Sequence, residues 1–294
     1  MTSSDRRAAT ADPGGTQLDQ ELADISTGAR PRVTVVVPTL NEAANLPHVL
    51  TRIPESVDEL VLVDGHSVDD TIAVARTLRP EVRVVMQNGR GKGNALACGF
   101  AAATGEIIVM LDADGSTDPA EIPQFVAALI AGADFAKGSR FLPTGGSVDI
   151  TPLRKAGNQV LCGAVNLLFG TRYTDLCYGY NAFWRRCLTH MHVSCDGFEV
   201  ETHINVRIAR SGLRVAEVPS YERERLHGVS NLRPLRDGLR VLRTILAERM
   251  RSATAPADPD AWRPRFDELP AGHGRAHDQA LGRELVIEPA QTLA

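Results

Sequence analysis

The chain of 294 residues is long enough for one large domain or two small ones, and 43% hydrophobic with 23% charged residues is an ordinary globular composition. A formal net charge of −4 disfavours general binding to nucleic acid. No apolar run reaches the ~20 residues that span a bilayer; the longest, 160–169, is interrupted by Asn166.

Residues 1–31 carry Thr, Asp, Gly and Ala without apolar periodicity and lack the apolar core of a secretory signal, so they read as a flexible tail. From Arg32 onward strands and helices alternate. Val33 to Val37 is a β-branched strand ending at Pro38. Leu46, Val49, Leu50 and Ile53 then mark one helix face, with Asn41 placed to cap its start. Leu60 to Val63 is the second strand, ending at Asp64, and residues 66–78 form the next helix. Val82 to Met86 is the third strand, Lys92 to Thr104 a helix of small residues, and Ile107 to Leu111 the fourth strand. A helix follows with Asp118 at its N-cap, Pro119 in its first turn, Glu121 at the third position and Gly132 at its end. Ala133 to Ala136 is a fifth strand. This alternation predicts an α/β fold with a mostly parallel sheet flanked by helices, in a single domain over 32–252.

After residue 141 the pattern changes, which divides the domain into two halves, about 32–141 and about 142–252. Gly145 to Ser147 reads as a loop, Leu153 to Phe169 as a helix, 178–184 as a short strand, 196–212 as a capped helix and 213–224 as a strand running into a loop. The last helix, Pro234 to about Arg251, places Leu235, Leu239, Leu242 and Ile245 along one side. It reads as packed on the core by that side with a solvated basic face; the alternative is a surface for anionic lipid. Residues 253–294 read as a second flexible tail. Cys98, Cys162, Cys177, Cys187 and Cys195 fit no zinc spacing, and their odd number argues against a disulfide framework. They read as buried thiols in a reducing, cytoplasmic compartment.

Parallel sheets bind ligands at the carboxyl ends of their strands. Asp64, Asp112 and Asp114 all fall at such ends, the last two delivered together by an apolar strand. Two carboxylates there suit a divalent cation, Mg²⁺ or Mn²⁺, shared with substrate phosphates. The run Gly89 to Leu96, GRGKGNAL, lacks the Gly-x4-Gly-Lys-Ser/Thr spacing of a Walker loop, and no dinucleotide fingerprint follows the first strand.

The order of the pieces Pro38–Glu42 (PTLNE), Val61–Thr71, Gly89–Leu96, Asp112–Asp114, Gly138–Phe141 (GSRF) and His227–Leu232 (HGVSNL) resembles the family-2 glycosyltransferases of GT-A fold, in their dolichyl-phosphate-mannose-synthase-like branch. The resemblance covers roughly 32–245. It implies that Pro38, Asn41, Glu42 and Asp64 hold the base and ribose of a nucleoside diphosphate sugar. Lys92 would lie beside the nucleotide, and Asp112 and Asp114 would take the metal and diphosphate. Arg140 of GSRF belongs with the donor site, and Arg223, Arg225 and Ser230 with a loop closing over the phosphates. Arginine forks match phosphate oxygens, and glycines admit backbone N–H groups to them. Two positions depart from the family pattern: Leu40 stands where tyrosine is common, and Asn231 where lysine is common.

Asp196, Glu199 and Glu201 are the candidates for a general base. Asp196 and Glu199 are also spaced as an N-cap pair; otherwise Glu199 faces the crevice. A phosphate acceptor needs no base, whereas a hydroxyl does. The histidines read as structural or surface residues, except His227, which falls between Arg225 and Ser230. The resemblance implies an inverting glycosyltransferase moving a hexose to a polyprenyl phosphate, in contact with the inner face of a membrane; the alternative is a soluble hydroxyl acceptor. A nucleotidyltransferase would need a glycine-rich, arginine-containing loop after the first strand, where PTLNE stands. A non-catalytic binding protein would lack one of the two aspartates.

Overall fold

The computed structural model describes residues 30–228 and 233–251. In chain order its elements are β1 Val33–Thr39, α1 Leu46–Leu50, β2 Glu59–Asp64, α2 Thr71–Leu78, β3 Arg83–Met86, α3 Gly91–Ala102, β4 Ile107–Met110, α4 Ile122–Ile130, β5 Phe135–Ser139, β6 Gly146–Ser147, α5 Pro152–Phe169, β7 Asn181–Trp184, α6 Leu188–Met191, α7 Val200–Arg210, β8 Val215–Pro219, β9 Tyr221–Glu222 and α8 Pro234–Met250.

β1, β2 and β4 are continuous runs of β-branched and apolar residues because both faces of these strands are covered. Among the described residues, seven strands form one sheet in the order β3-β2-β1-β4-β7-β5-β8. All neighbours run parallel except β7, which is antiparallel to both β4 and β5. The chain builds outward from β1 to β2 and β3, then returns to lay β4 on the other side of β1. That reversal is a topological switch point, and it opens a crevice at the carboxyl ends of β1 and β4. The antiparallel β7 is locked in place by its aromatics: Phe183 stacks on Phe135 with ring centroids 5.7 Å apart and meets Phe100 edge-on at 5.4 Å.

The elements lie where the sequence pattern puts them, with five differences of substance. The helix expected to be capped by Asn41 begins only at Leu46, after Asn45. Asn41 instead adopts a left-handed backbone, φ 57°, and its Oδ1 accepts from Val68 N, joining the first loop to the second. The expected loop at Gly146–Ser147 is a two-residue strand parallel to β9, and a Cβ on Gly146 would lie 2.6 Å from the Tyr221 ring. α7 starts at Val200 without a side-chain cap, so Asp196 and Glu199 do not act as an N-cap pair. Glu121 does not turn back to close a capping box on Asp118; it reaches Ser220 Oγ and Tyr221 N, while Asp118 accepts from Ala120 N as expected.

The last helix departs furthest. Val165 and Cys162 of α5, Val206 of α7, and Val241 and Ile245 of α8 share one small apolar cluster. Of the four residues expected on the core side of α8, only Ile245 is buried; Leu235, Leu239 and Leu242 are exposed. Glu248 fixes the helix by accepting from Arg207 and Arg210 of α7. Most of the tails at 1–31 and 253–294 lies outside the described residues. Arg30, at the end of the first, makes a two-pronged pair with Asp58 at 2.8 and 3.0 Å.

Candidate active site

The loop after β1 is pinned against the loop after β2. Asn41 N donates to Ser67 Oγ at 2.8 Å and Glu42 N to Thr71 Oγ1 at 2.9 Å. Asp64, fully buried, accepts from Ser67 N at 2.8 Å and so shapes the second loop from within. Pro38 pairs in register with Val63, which places it at the same strand ends. These three loop residues and Asp64 therefore form one wall of the crevice.

Asp112 and Asp114 stand at the end of β4, and each is met by a cation. Lys92 Nζ lies 2.7 Å from Asp112 Oδ1 and 2.7 Å from Glu201 Oε1. Arg225 Nη2 lies 2.7 Å from Asp114 Oδ2, and its Nη1 lies 3.4 Å from Glu42 Oε1. Asp114 Oδ1 also accepts from Ser116 N and Oγ, which holds the carboxylate in a tight turn. Burial alone would lower the Lys92 ammonium, but Asp112 and then Glu201 outweigh it and hold it above the usual lysine range. Burial raises the Glu201 carboxyl, with Lys92 pulling the other way, and burial likewise raises Glu42.

The chain 223–228 crosses this site. Arg223 N donates to Ser116 O at 2.7 Å, and Asn45 Nδ2 donates to His227 O at 3.2 Å. The Arg223 side chain pairs with Asp118 at 2.9 Å, beside Arg52. His227, the histidine singled out in the sequence, brings its ring to 6.0 Å from that of His48. Ser230 and Asn231 lie outside the described residues.

Three placements differ from the sequence reading. Glu199 does not face the aspartates: its Oε1 accepts from Gly197 N, and the carboxylate that reaches the site is Glu201, two residues on. Arg140 is buried in an ion network, donating to Asp175 through Nε and Nη2 and to Glu222 through Nη1, with its guanidinium 4.8 Å from the Tyr178 ring. Gly91 and Gly93 of GRGKG admit the chain's own backbone: Gly93 N donates to Asp196 O at 3.0 Å, and a Cβ on Gly93 would stand 1.9 Å from Cys195 O. Glu201 is one of the three base candidates named from the sequence. It shares a face of α7 with Ile204, Asn205 and Ile208, all buried, where an unpaired carboxylate is costly. Gly179 left no such signal, yet a Cβ there would lie 2.9 Å from Lys92 Nζ and 3.0 Å from Asp112 Oδ2.

Among the described residues, no cluster of three or more His, Cys, Asp or Glu is arranged to hold a metal by itself. The donor set nevertheless fits Mg²⁺ or Mn²⁺: two hard carboxylates at one strand end, each already attracting a positive charge, with substrate phosphates to fill the remaining coordination.

A switch-point crevice lined by strand-end aspartates, a half-buried lysine and a crossing arginine loop defines a GT-A type glycosyltransferase. The comparisons place it more narrowly. The model of glycosyl transferase family 2 matches residues 34–193, and the chain belongs to that family. It is 33% identical to a polyprenol monophosphomannose synthase of Mycolicibacterium smegmatis over 68% of this chain and 81% of the relative. It is 31% identical to an undecaprenyl-phosphate mannosyltransferase of Micrococcus luteus over 68% and 87%. The fold is similar to glucosyl-3-phosphoglycerate synthase of Mycobacterium tuberculosis, solved with Mn²⁺, UDP and glucosyl-3-phosphoglycerate. That match has a TM-score of 0.59 and 26% identity, and covers 82% of this chain and 86% of that one.

Proposed function

We propose that this enzyme transfers a hexose from a nucleoside diphosphate sugar to a polyprenyl phosphate, with inversion at the anomeric carbon. The observation that carries the acceptor is the pairing of the carboxylates around the site. Asp112 and Glu201 share Lys92, Asp114 and Glu42 share Arg225, and Glu199 is turned to Gly197. Four of these five carboxylates are held by a cation, and the fifth, Glu199, whose Oε2 has no partner, is the one turned to Gly197; a phosphate oxygen, already ionised at neutral pH, needs no base at all. The relatives named for polyprenyl and undecaprenyl phosphate support the same acceptor class.

In this reading Pro38, Asn41, Glu42 and Asp64 position the base and ribose. Asp112 and Asp114 would hold Mg²⁺ or Mn²⁺, whose chemistry is to neutralise charge on a departing diphosphate. Lys92 and Arg225 lie beside the same two carboxylates and turn toward the diphosphate oxygens as negative charge builds there. The acceptor oxygen attacks on the face opposite the diphosphate; one C–O bond forms as the other breaks, and the diphosphate leaves with the bonding pair. Arg140, Arg223, Arg225 and Ser230 remain assigned to the donor side, with Arg140 acting through its ion network with Asp175 and Glu222. Because a polyprenyl chain resides in a bilayer, the reaction takes place at a membrane surface, facing the cytoplasm.

The test is nucleoside diphosphate release from a panel of UDP-, GDP- and dTDP-sugars with Mg²⁺ or Mn²⁺, with and without a short polyprenyl phosphate. Lipid-dependent release is the expected result. Donor binding without lipid-stimulated release would move the acceptor to a soluble hydroxyl, as the likeness to glucosyl-3-phosphoglycerate synthase favours, and Glu201 would be the base to examine.

A further inference from the structure

The outer face of α8 is apolar where a solvated helix should be polar. At 100° per residue, Leu235, Leu239, Leu242, Leu246 and Met250 fall within an arc of about 80°. Leu235 is 78% exposed and Met250 80%, and the three leucines between them are exposed as well. The buried residues Asp237, Val241, Ile245 and Glu248 occupy the opposite side. The helix thus has two apolar stripes, one satisfied by α5 and α7 and one facing solvent. α5, packed in the same cluster, also turns Leu153, Val160 and Leu167, seven residues apart, away from it, and carries no charge from Ala156 to Phe169.

The charges on α8 say what fits that stripe. Both acids of the helix are buried and used internally: Asp237 accepts from Arg233 N, and Glu248 takes Arg207, Arg210 and Arg251. Every exposed charge on the helix is therefore an arginine. Arg236 and Arg243 border one edge of the stripe and Arg249 the other, with no carboxylate partner among the described residues. A second copy pairing through the same face would set rows of arginine beside each other with no acid to relieve them. An anionic bilayer takes both features at once, leucines into the acyl boundary and guanidinium groups onto lipid phosphates.

We infer that α8, with the uncharged face of α5 beside it, is a docking surface for an anionic membrane. This deepens the polyprenyl-phosphate reading, on which its purpose rests, because it holds the enzyme where such an acceptor lies. Its test is independent of that reading.

The full chain is sedimented with vesicles of phosphatidylcholine alone, or containing about one part in three of phosphatidylglycerol. Binding to the anionic vesicles that weakens with salt is expected. Leu239→Ser with Leu246→Ser, and separately Arg236→Gln with Arg243→Gln, should each lower partitioning by at least about 10-fold while the circular dichroism spectrum is unchanged. Failure of the wild type to bind, or equal binding by both variants, overturns the inference. So does a concentration-dependent dimer that the leucine variant dissolves, which would give the stripe to a second copy. Vesicle binding without polyprenyl-dependent release would leave this surface standing and refute the acceptor assignment instead.

Discussion

Replacing Lys92 by methionine removes the one cation shared by Asp112 and Glu201 while keeping most of the side-chain volume. Lys92 and Glu201 are 15% and 4% exposed in their side chains, so solvent screens the pair little. Deleting one partner of a buried pair costs about 3–5 kcal/mol, because the other charge is left uncompensated. The loss should depend on pH, and its sign follows from linkage. The Glu201 carboxyl is already raised by burial, and removing the lysine that opposes this raises it further. A carboxyl raised in the folded state loses stability as pH climbs from its unfolded value through its folded one. The gap between wild type and Lys92→Met should therefore widen from pH 5 to pH 8, by about 1.4 kcal/mol for each unit added to the Glu201 pKa. Urea unfolding at the two pH values reads this directly. Adding Glu201→Gln should recover part of the loss, and the double-mutant cycle gives the coupling. A loss below about 1 kcal/mol, or one equal at both pH values, would refute the argument that Lys92 is the counter-ion of a buried carboxylate.

Asp114→Ala should abolish metal-dependent turnover and leave the circular dichroism spectrum intact; full activity would remove Asp114 from the metal site. Its stability cost should stay near or below about 1 kcal/mol, because Arg225 retains access to water and to Glu42. Gly93→Ala and Gly157→Ala should move the melting temperature in opposite directions. The first drives a methyl to 1.9 Å from Cys195 O and should cost about 1–3 kcal/mol or more. The second adds a Cβ in open space on α5 and should stabilise by about 0.5–1 kcal/mol. The ammonium of Lys92, held above its unfolded pKa of 10.5, contributes stability that persists through neutral pH and disappears only as pH rises beyond that value. A decline in wild-type stability between pH 10 and 12, reduced in Lys92→Met, is the corresponding measurement.

Local pattern alone was enough for the sheet and for the crevice at its strand ends. Apolar β-branched runs such as Val33–Val37 and Ile107–Leu111 have few options besides buried parallel strands, and the loops at their carboxyl ends must then carry whatever is polar. Asp64, Asp112 and Asp114 were legible for that reason, and so were Lys92 and Arg225 once the order of the motifs was known.

Which partner each polar group finds depended on the packing of elements far apart in the chain. Glu199 and Glu201 are both acidic residues at the start of one helix; a turn of about 200° between them sends one toward Gly197 and the other to Lys92. Arg140 turns into the interior because Asp175 and Glu222, 35 and 82 residues away, meet it there. Gly91 and Gly93 of GRGKG face residues 195–196, a contact with no local signal in either segment. On α8 periodicity could identify an apolar side but not choose between two. Val241 and Ile245 turn inward because Cys162, Val165 and Val206 stand on that side, and Glu248 is drawn the same way by Arg207 and Arg210. Local pattern encodes which residues avoid water; the packing of distant elements decides which of them succeed, and here it leaves a row of leucines outside.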